Sequence, residues 1–399
     1  MNEMAGQHSM RNRLVRIATL VVINVALIAL LEIASYSILA KFRPKHRYRP
    51  PSVKRVENQF HPYLGHIHPP NARIRTNKPG TEPVFIETDA EGNSKTPQAV
   101  QDPQIRLAVT GGSTMFGTGS SSSDTTVPSL IEKMINNKLG VRAKVVNLGK
   151  RGYASFQEAV LLDRYLASHQ VDLVLAISGF NDAHHAFNFP DIEFGFLTPD
   201  VWKEAVPLQR RAERGDVIVV NWVDKLSSIS HTFDLLHALA AGLRKEPPGS
   251  DKETDPPGGA DTLQNVPERV RLSIVHYSMM NTLAHLSGAE FALFLQPNSE
   301  VRPRETFSPD EAAKEPTSRD KRRFLYYNAY FEAIRAADKE FIFHDITGIF
   351  PPEAAPFYYD LAHYTDRGAA VVAESVVDRI KPLIDKKLQE KSQTSGAHR

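Results

Sequence analysis

From Arg106 onwards the chain repeats one alternation, a short run apolar at almost every position followed by a longer amphipathic stretch. The short runs are RLAVT at 106–110, AKVVNLG at 143–149, DLVLAISG at 172–179, EFALFLQP at 290–297 and FIFHDIT at 341–347. Helical spacing of apolar residues falls near 126–139, 155–168, 267–286, 321–338 and 366–387. A strand that is apolar on both sides must be covered on both sides, and an intervening helix lets the next strand run parallel to the last. The pattern predicts an α/β domain with a parallel sheet between two helical layers. The composition, 41% hydrophobic and 24% charged over 399 residues, excludes a collagen-like or disordered chain. Because the chain has no cysteine, it has no disulfide, thiol nucleophile or thiolate metal site. Nucleophilic chemistry must then come from oxygen or nitrogen.

A second constraint lies near the start. Residues 17–40 read IATLVVINVALIALLEIASYSILA, a helical length of roughly 36 Å against a hydrocarbon core of about 30 Å. The apolar core of a cleaved signal peptide is shorter, so an uncleaved anchor through residues 17–40 is expected in the lipid bilayer. Glu32 lies deep in this stretch, where a bare carboxylate is costly, and is expected either to be protonated or to face a partner helix in the membrane. Residues 1–55 carry ten Lys or Arg against Glu3 and Glu32, a balance of +8, leaving −6 for the rest of a chain of net charge +2. Basic charge gathered around an apolar stretch suits lipid head groups rather than nucleic acid, for which the folded domain would need a basic face. Arg11, Arg13 and Arg16 favour a cytoplasmic N-terminus, while the seven basic residues from Lys41 to Arg55 count the other way. Large domains translocate largely regardless of charge, and an extracytoplasmic domain is expected.

Residues 41–58, rich in Pro and basic side chains, read as a linker. Between the third and fourth β-type runs comes a long interruption, about 186–266. It contains a helically patterned stretch at 222–243 and a polar, Pro/Gly-rich segment at 247–261, and reads as a small helical cap with a disordered tip. Caps next to a site often govern access to it.

In open parallel sheets, ligands bind beyond the carboxyl ends of the strands. At those ends stand Gly111-Gly112-Ser113-Thr114, Lys150-Arg151-Gly152, Phe180-Asn181-Asp182, and a final loop with Asp360 and His363. These parts suit acyl transfer. Ser113 can be a nucleophile if His363 takes its proton, and Asp360, three residues before His363, can orient the imidazole. The Ser113 N–H, the Gly152 N–H and the Asn181 amide are natural donors to an oxyanion. Each piece alone has a plainer reading as a turn, a helix cap or a residue with positive φ. Their occurrence in order at successive strand ends favours the chemical reading.

On these residues the sequence resembles the SGNH, or GDSL-like, hydrolase family. The blocks are AVTGGSTMFGTG at 108–119, VVNLGKRGYAS at 145–155, ISGFNDA at 177–183 and DLAHYTDRGAAVVAE at 360–374. The resemblance covers about 105–182 and 288–385. It implies a three-layer α/β/α flavodoxin-like fold, serine-dependent ester hydrolysis or acyl transfer, a triad of Ser113, His363 and Asp360, an oxyanion hole of Ser113, Gly152 and Asn181, and no metal or cofactor. GGST stands where the family's namesake has GDS, a variant found in membrane-anchored bacterial members, and the run FHPYLGHIHPPNARIRTNKPG at 60–80 also resembles the lead-in of such members. The expected organisation is a tail at 1–16, the anchor at 17–40, linker and lead-in at 41–100, a hydrolase-like domain at 101–388 with the insertion 186–266, and a disordered tail at 389–399.

The histidines offer a competing metal reading through His61, His66 and His68 and through His184-His185, but no HExxH or paired Cys/His spacing is present. Asp182, His184 and His185 are instead expected to line the site or contact substrate. Phe324, Tyr326, Tyr327, Tyr330 and Phe331 have helical spacing and read as core. The function expected is an inner-membrane, single-pass esterase removing acyl groups such as acetyl from an envelope or extracellular saccharide. The alternatives are an O-acyltransferase using the same serine, and a catalytically idle scaffold of an envelope assembly.

Overall fold

The computed structural model describes residues 19–37, 59–61, 63–76, 83–96, 100–188, 230, 232, 260–301, 317–351, 356–358 and 360–396. The chain divides into two compact units, one of residues 1–55 with 206–254 and one of 56–205 with 255–399. In the first, the apolar stretch forms helix α1 (Thr19–Ser37), long and apolar enough to cross a membrane. Its Asn24 amide donates back to the Leu20 carbonyl at 2.7 Å. The Glu32 carboxylate accepts from the Ser230 hydroxyl and from the Thr232 N–H of the same chain. The linker at 41–58, the 222–243 stretch apart from Ser230 and Thr232, and most of the segment at 247–261 lie outside the described residues.

The second unit is built on five parallel strands: β5 (Ile105–Gly111), β6 (Ala143–Asn147), β7 (Leu173–Ser178), β8 (Glu290–Leu295) and β9 (Ile342–Asp345). Their order across the sheet is β6-β5-β7-β8-β9. Counted within the sheet this is 2-1-3-4-5, the flavodoxin-like winding. Period-two geometry sorts the strand residues by face. Leu107, Val109, Leu173, Leu175 and Ile177 pack with α3 (Val127–Lys138) and α8 (Asp366–Gly396) on one side. Ala108, Val174, Ala176, Phe291 and Leu293 pack with α4 (Ser155–Leu166) and α6 (Val266–Leu286) on the other. The result is the expected α/β/α layering. Local signals start the helices: Thr126 caps α3, accepting from the Ser129 N–H, and Thr317 with Asp320 forms a capping box at α7 (Ser318–Ala336).

Four differences from the sequence reading concern element boundaries. The lead-in forms two short antiparallel hairpins, β1 (Gln59–His61) with β2 (Gly65–Ile67) and β3 (Arg73–Arg75) with β4 (Phe85–Glu87). Two helices open at strand ends where only site residues were read, α2 (Ser113–Phe116) and α5 (Phe180–Asn188), so regular structure continues past 186, where the insertion was expected to begin. Helix α8 continues to Gly396 where a disordered tail was expected from 389. Lys386 reaches Glu290 at 2.6 Å, and Lys391 reaches both Asp172 at 2.7 Å and the Gln104 carbonyl at 2.9 Å, so the last turns are tied to the sheet's amino-terminal edge.

Candidate active site

The first three blocks leave the sheet at the carboxyl ends of β5, β6 and β7. Beyond β5 the chain turns at Gly111-Gly112 and enters α2, whose first residue is Ser113. Gly112 is required for a physical reason: a Cβ there would lie 2.3 Å from the Asn181 amide nitrogen. Asn181 therefore sits directly against the turn that presents Ser113. Beyond β6, the Leu148 and Lys150 N–H groups donate to the Val109 and Gly111 carbonyls, holding the Gly152 loop beside the end of β5. Gly152 itself has φ +73°, which disfavours any side chain.

The loop before α8 closes the site. The His363 Nε2 lies 2.7 Å from the Ser113 Oγ. Its Nδ1 lies 2.8 Å from both carboxylate oxygens of Asp360. Ionised Asp360 can only accept, so Nδ1 carries the proton and Nε2 is left to accept from the serine hydroxyl. Asp360 also accepts the N–H groups of Ala362 and His363, at 3.1 and 3.0 Å. Burial would push its pKa up, but the His363 contact and these N–H bonds prevail and hold it down at about 2.

The Asn181 amide donates one hydrogen to the Tyr153 carbonyl at 2.7 Å, which fixes the amide and leaves its second hydrogen for another acceptor. The structure thus brings together Ser113, His363 and Asp360 in direct contact, with Asn181 against the same turn and the Gly152 loop beside it. Such a set can pass a proton from a serine hydroxyl to an imidazole and surround a tetrahedral oxyanion with N–H donors.

The three residues expected to line the site or contact substrate all have partners inside the protein. The Asp182 carboxylate is engaged inside the protein, accepting from the Ser155 N–H at 3.2 Å, the Ser155 hydroxyl at 2.5 Å and the Ser273 hydroxyl at 3.1 Å. It caps α4 and joins the second block to the third. His185 is 8% exposed, and burial lowers its pKa to about 4. His184 stacks on Phe180 and meets the Tyr327 hydroxyl at 2.8 Å; burial, followed by Arg323 and Arg319, also lowers its pKa to about 4. Of the metal candidates, His66 faces the Arg151 carbonyl at 2.8 Å and His68 packs on the Phe116 ring. Tyr326, Tyr327, Tyr330 and Phe331 are fully buried, as core residues are expected to be, whereas Phe324 is only half-buried.

Sequence reasoning missed three supports. Glu158, wholly inside the sheet–α4 interface, accepts from the Thr110 hydroxyl at 3.0 Å and the Ser178 hydroxyl at 2.6 Å, and burial raises its pKa to about 8. The end of β8 holds the last loop: the Tyr364 hydroxyl donates to the Pro297 carbonyl at 2.8 Å and the Ser299 N–H to the Leu361 carbonyl at 2.9 Å. Lys150, read only as a neighbour of Gly152, is 2% exposed. The available signal was position, since both QPN at 296–298 and Lys150 follow strands whose neighbours carry the site.

No family model matches the chain, and no curated protein does. Among solved structures the chain is similar to LAE5, an α/β hydrolase from the metagenome of Lake Arreo, Spain, at 12% identity and TM-score 0.38, with 72% of this chain and 99% of that chain covered. It is similar to the acetylxylan esterase Axe2 of Geobacillus stearothermophilus at 12% identity and TM-score 0.33, covering 69% and 94%. A lipase/acylhydrolase of Enterococcus faecalis matches at 13% identity and TM-score 0.35, covering 70% and 96%.

Proposed function

We propose that this chain is a membrane-anchored, SGNH-type serine esterase that removes acyl groups such as acetyl from an envelope or extracellular saccharide. The observation that carries this reading is the Ser113–His363–Asp360 relay at the carboxyl end of the sheet, with an Oγ–Nε2 distance of 2.7 Å. In the proposed reaction the Ser113 Oγ attacks the acyl carbonyl carbon while its proton passes to the His363 Nε2. The carbonyl electrons move onto oxygen, where the Ser113 and Gly152 N–H groups and the Asn181 amide donate to them. The tetrahedral intermediate collapses, the C–O bond to the alcohol breaks, and His363 returns the proton to the departing oxygen. Water then attacks the acyl-enzyme by the same route and releases the acid.

The membrane part of the reading rests on α1 and the basic flanks. With the N-terminal tail in the cytoplasm, the catalytic unit would face the envelope and its saccharides. The test is labelling of the full chain in detergent with a fluorophosphonate probe, with Ser113→Ala as control, beside turnover of a short-chain acyl ester. Labelling that depends on Ser113 together with ester hydrolysis supports the esterase. Labelling without hydrolysis, with acyl transfer once a sugar hydroxyl is supplied as acceptor, would move the reading to an O-acyltransferase, and neither labelling nor turnover would sink both.

A further inference from the structure

The loop that carries Gly152 is held from the lead-in segment as well as by its own sheet. The Lys150 ammonium is buried and donates to the Gly92 carbonyl at 2.5 Å and to the Asn93 Oδ1 at 3.0 Å. The Arg151 guanidinium donates to the Arg75 carbonyl and lies over the Phe116 ring. The Tyr153 hydroxyl donates to the His66 carbonyl, and the His66 Nε2 in turn meets the Arg151 carbonyl at 2.8 Å. Thus Lys150, Arg151 and Tyr153, the three residues with side chains around Gly152, all reach across to residues 66–93.

Lys150 is the costly member of this set. Burying an amine is unfavourable unless its N–H groups are met, and burial lowers its pKa to about 7 against the raising effect of Asp89 and Glu91. Charged or neutral, the amine keeps at least two N–H donors, and the turn supplies two acceptors. That turn is itself braced: the Asp89 carboxylate accepts the Asn93 N–H at 2.9 Å, and the Asp89 N–H donates to the Asn93 carbonyl at 2.8 Å. An apolar side chain would fill the same volume without the desolvation cost, so packing alone does not account for a lysine here. What the ammonium adds is a fixed distance between the rigid Asp89–Asn93 turn and the backbone two residues before Gly152.

We propose that Lys150 is a positioning residue for the oxyanion hole, tying the Gly152 loop to the Asp89–Asn93 turn and making the lead-in segment a working part of the active site. This rests on the esterase reading above. It reaches the substrate only through Gly152 and through the Tyr153 carbonyl that holds Asn181.

The test uses the full-length chain in detergent, kcat and KM for p-nitrophenyl acetate, and thermal melts, with kinetics read well below the melting transition. Misplacing a donor by a fraction of an ångström acts on the transition state, so Lys150→Met should lower kcat roughly ten- to a hundredfold with KM within about threefold. Asn93→Ala, which removes one acceptor from the far end of the contact, should lower kcat in the same sense by several-fold. Asn93→Asp, which keeps the acceptor, should restore it. A folded Lys150→Met with wild-type kcat overturns the proposal. If Lys150→Met does not fold, the Asn93 pair decides: wild-type kcat in Asn93→Ala overturns it, and loss in Asn93→Ala with recovery in Asn93→Asp upholds it. Absence of turnover in the wild-type chain is a different failure, that of the esterase reading, and this proposal falls with it.

Discussion

At the scale of single residues the proposed reaction divides labour between a group that reacts and groups that hold it ready. Ser113→Ala removes the oxygen that contacts the His363 Nε2 and leaves α2 otherwise intact. The expected outcome is an unchanged melting temperature with turnover reduced at least about a thousandfold, read from ester kinetics and a melt on the same sample. Asp360 acts one step back, so Asp360→Asn should cost kcat roughly a hundred- to ten-thousandfold by releasing the imidazole tautomer that His363 needs. Its pKa adds a second readout. A carboxyl held at about 2 in the folded chain, below its ordinary 3.8, contributes stability above pH 3.8 that is lost as pH falls through 2. The melting advantage of the wild type over Asp360→Asn should therefore be present at pH 5 and shrink towards pH 2.

Between elements, the sheet and α4 meet over a polar contact rather than a wholly apolar one. Glu158 from α4 bridges Thr110 on β5 and Ser178 on β7 with its carboxyl raised to about 8. A raised acid keeps its proton in the folded chain while the unfolded chain loses it, so this group costs stability progressively as pH rises from about 4.5 to about 8. Glu158→Gln, neutral at every pH, should match the wild type near pH 4 and be more stable by on the order of 1–2 kcal/mol at pH 8 in denaturant titrations. Nothing in the sequence marks Glu158, which reads as one polar position of an amphipathic helix and becomes unusual only when Thr110 and Ser178 are seen to face it. The core strands were legible because their residues are apolar on both faces, as in LVLAIS at 173–178, which is buried throughout. The candidate nucleophile, base and acid were legible because they stand at strand ends in order. What sequence could not give was the use of Asp182 and Lys150. A polar side chain beside a reacting residue can point towards substrate or back into the protein, and that choice is made by distant partners, Ser155 and Ser273 for one and Gly92 and Asn93 for the other. The hairpins of the lead-in escaped for a related reason: three-residue strands are too short to show an alternation, and they are held by distant partners, Phe116 against Ile74 and Ile86 and Tyr153 on the His66 carbonyl.

At the scale of the whole molecule, every residue of the relay and all three candidate oxyanion donors belong to the unit of residues 56–205 and 255–399, whereas α1 belongs to the other. On the proposed reading, that division separates attachment from chemistry. Removing residues 1–40 should move the chain from the membrane pellet to the soluble fraction, while turnover of a soluble ester stays within about twofold, since none of the donors of the site is touched. The side of the membrane is read by a different experiment, which the composition makes clean: with no cysteine in the chain, one introduced thiol is the only target for a maleimide. Gln389 lies exposed on α8, so Gln389→Cys places that thiol on the surface of the catalytic unit. In intact spheroplasts a membrane-impermeant maleimide should label it at once if the unit faces outwards, in keeping with a substrate on an envelope saccharide. Labelling only after the membrane is opened would put that unit in the cytoplasm. The basic residues after the anchor would then act as its topological signal, and the substrate would have to be sought among cytoplasmic esters.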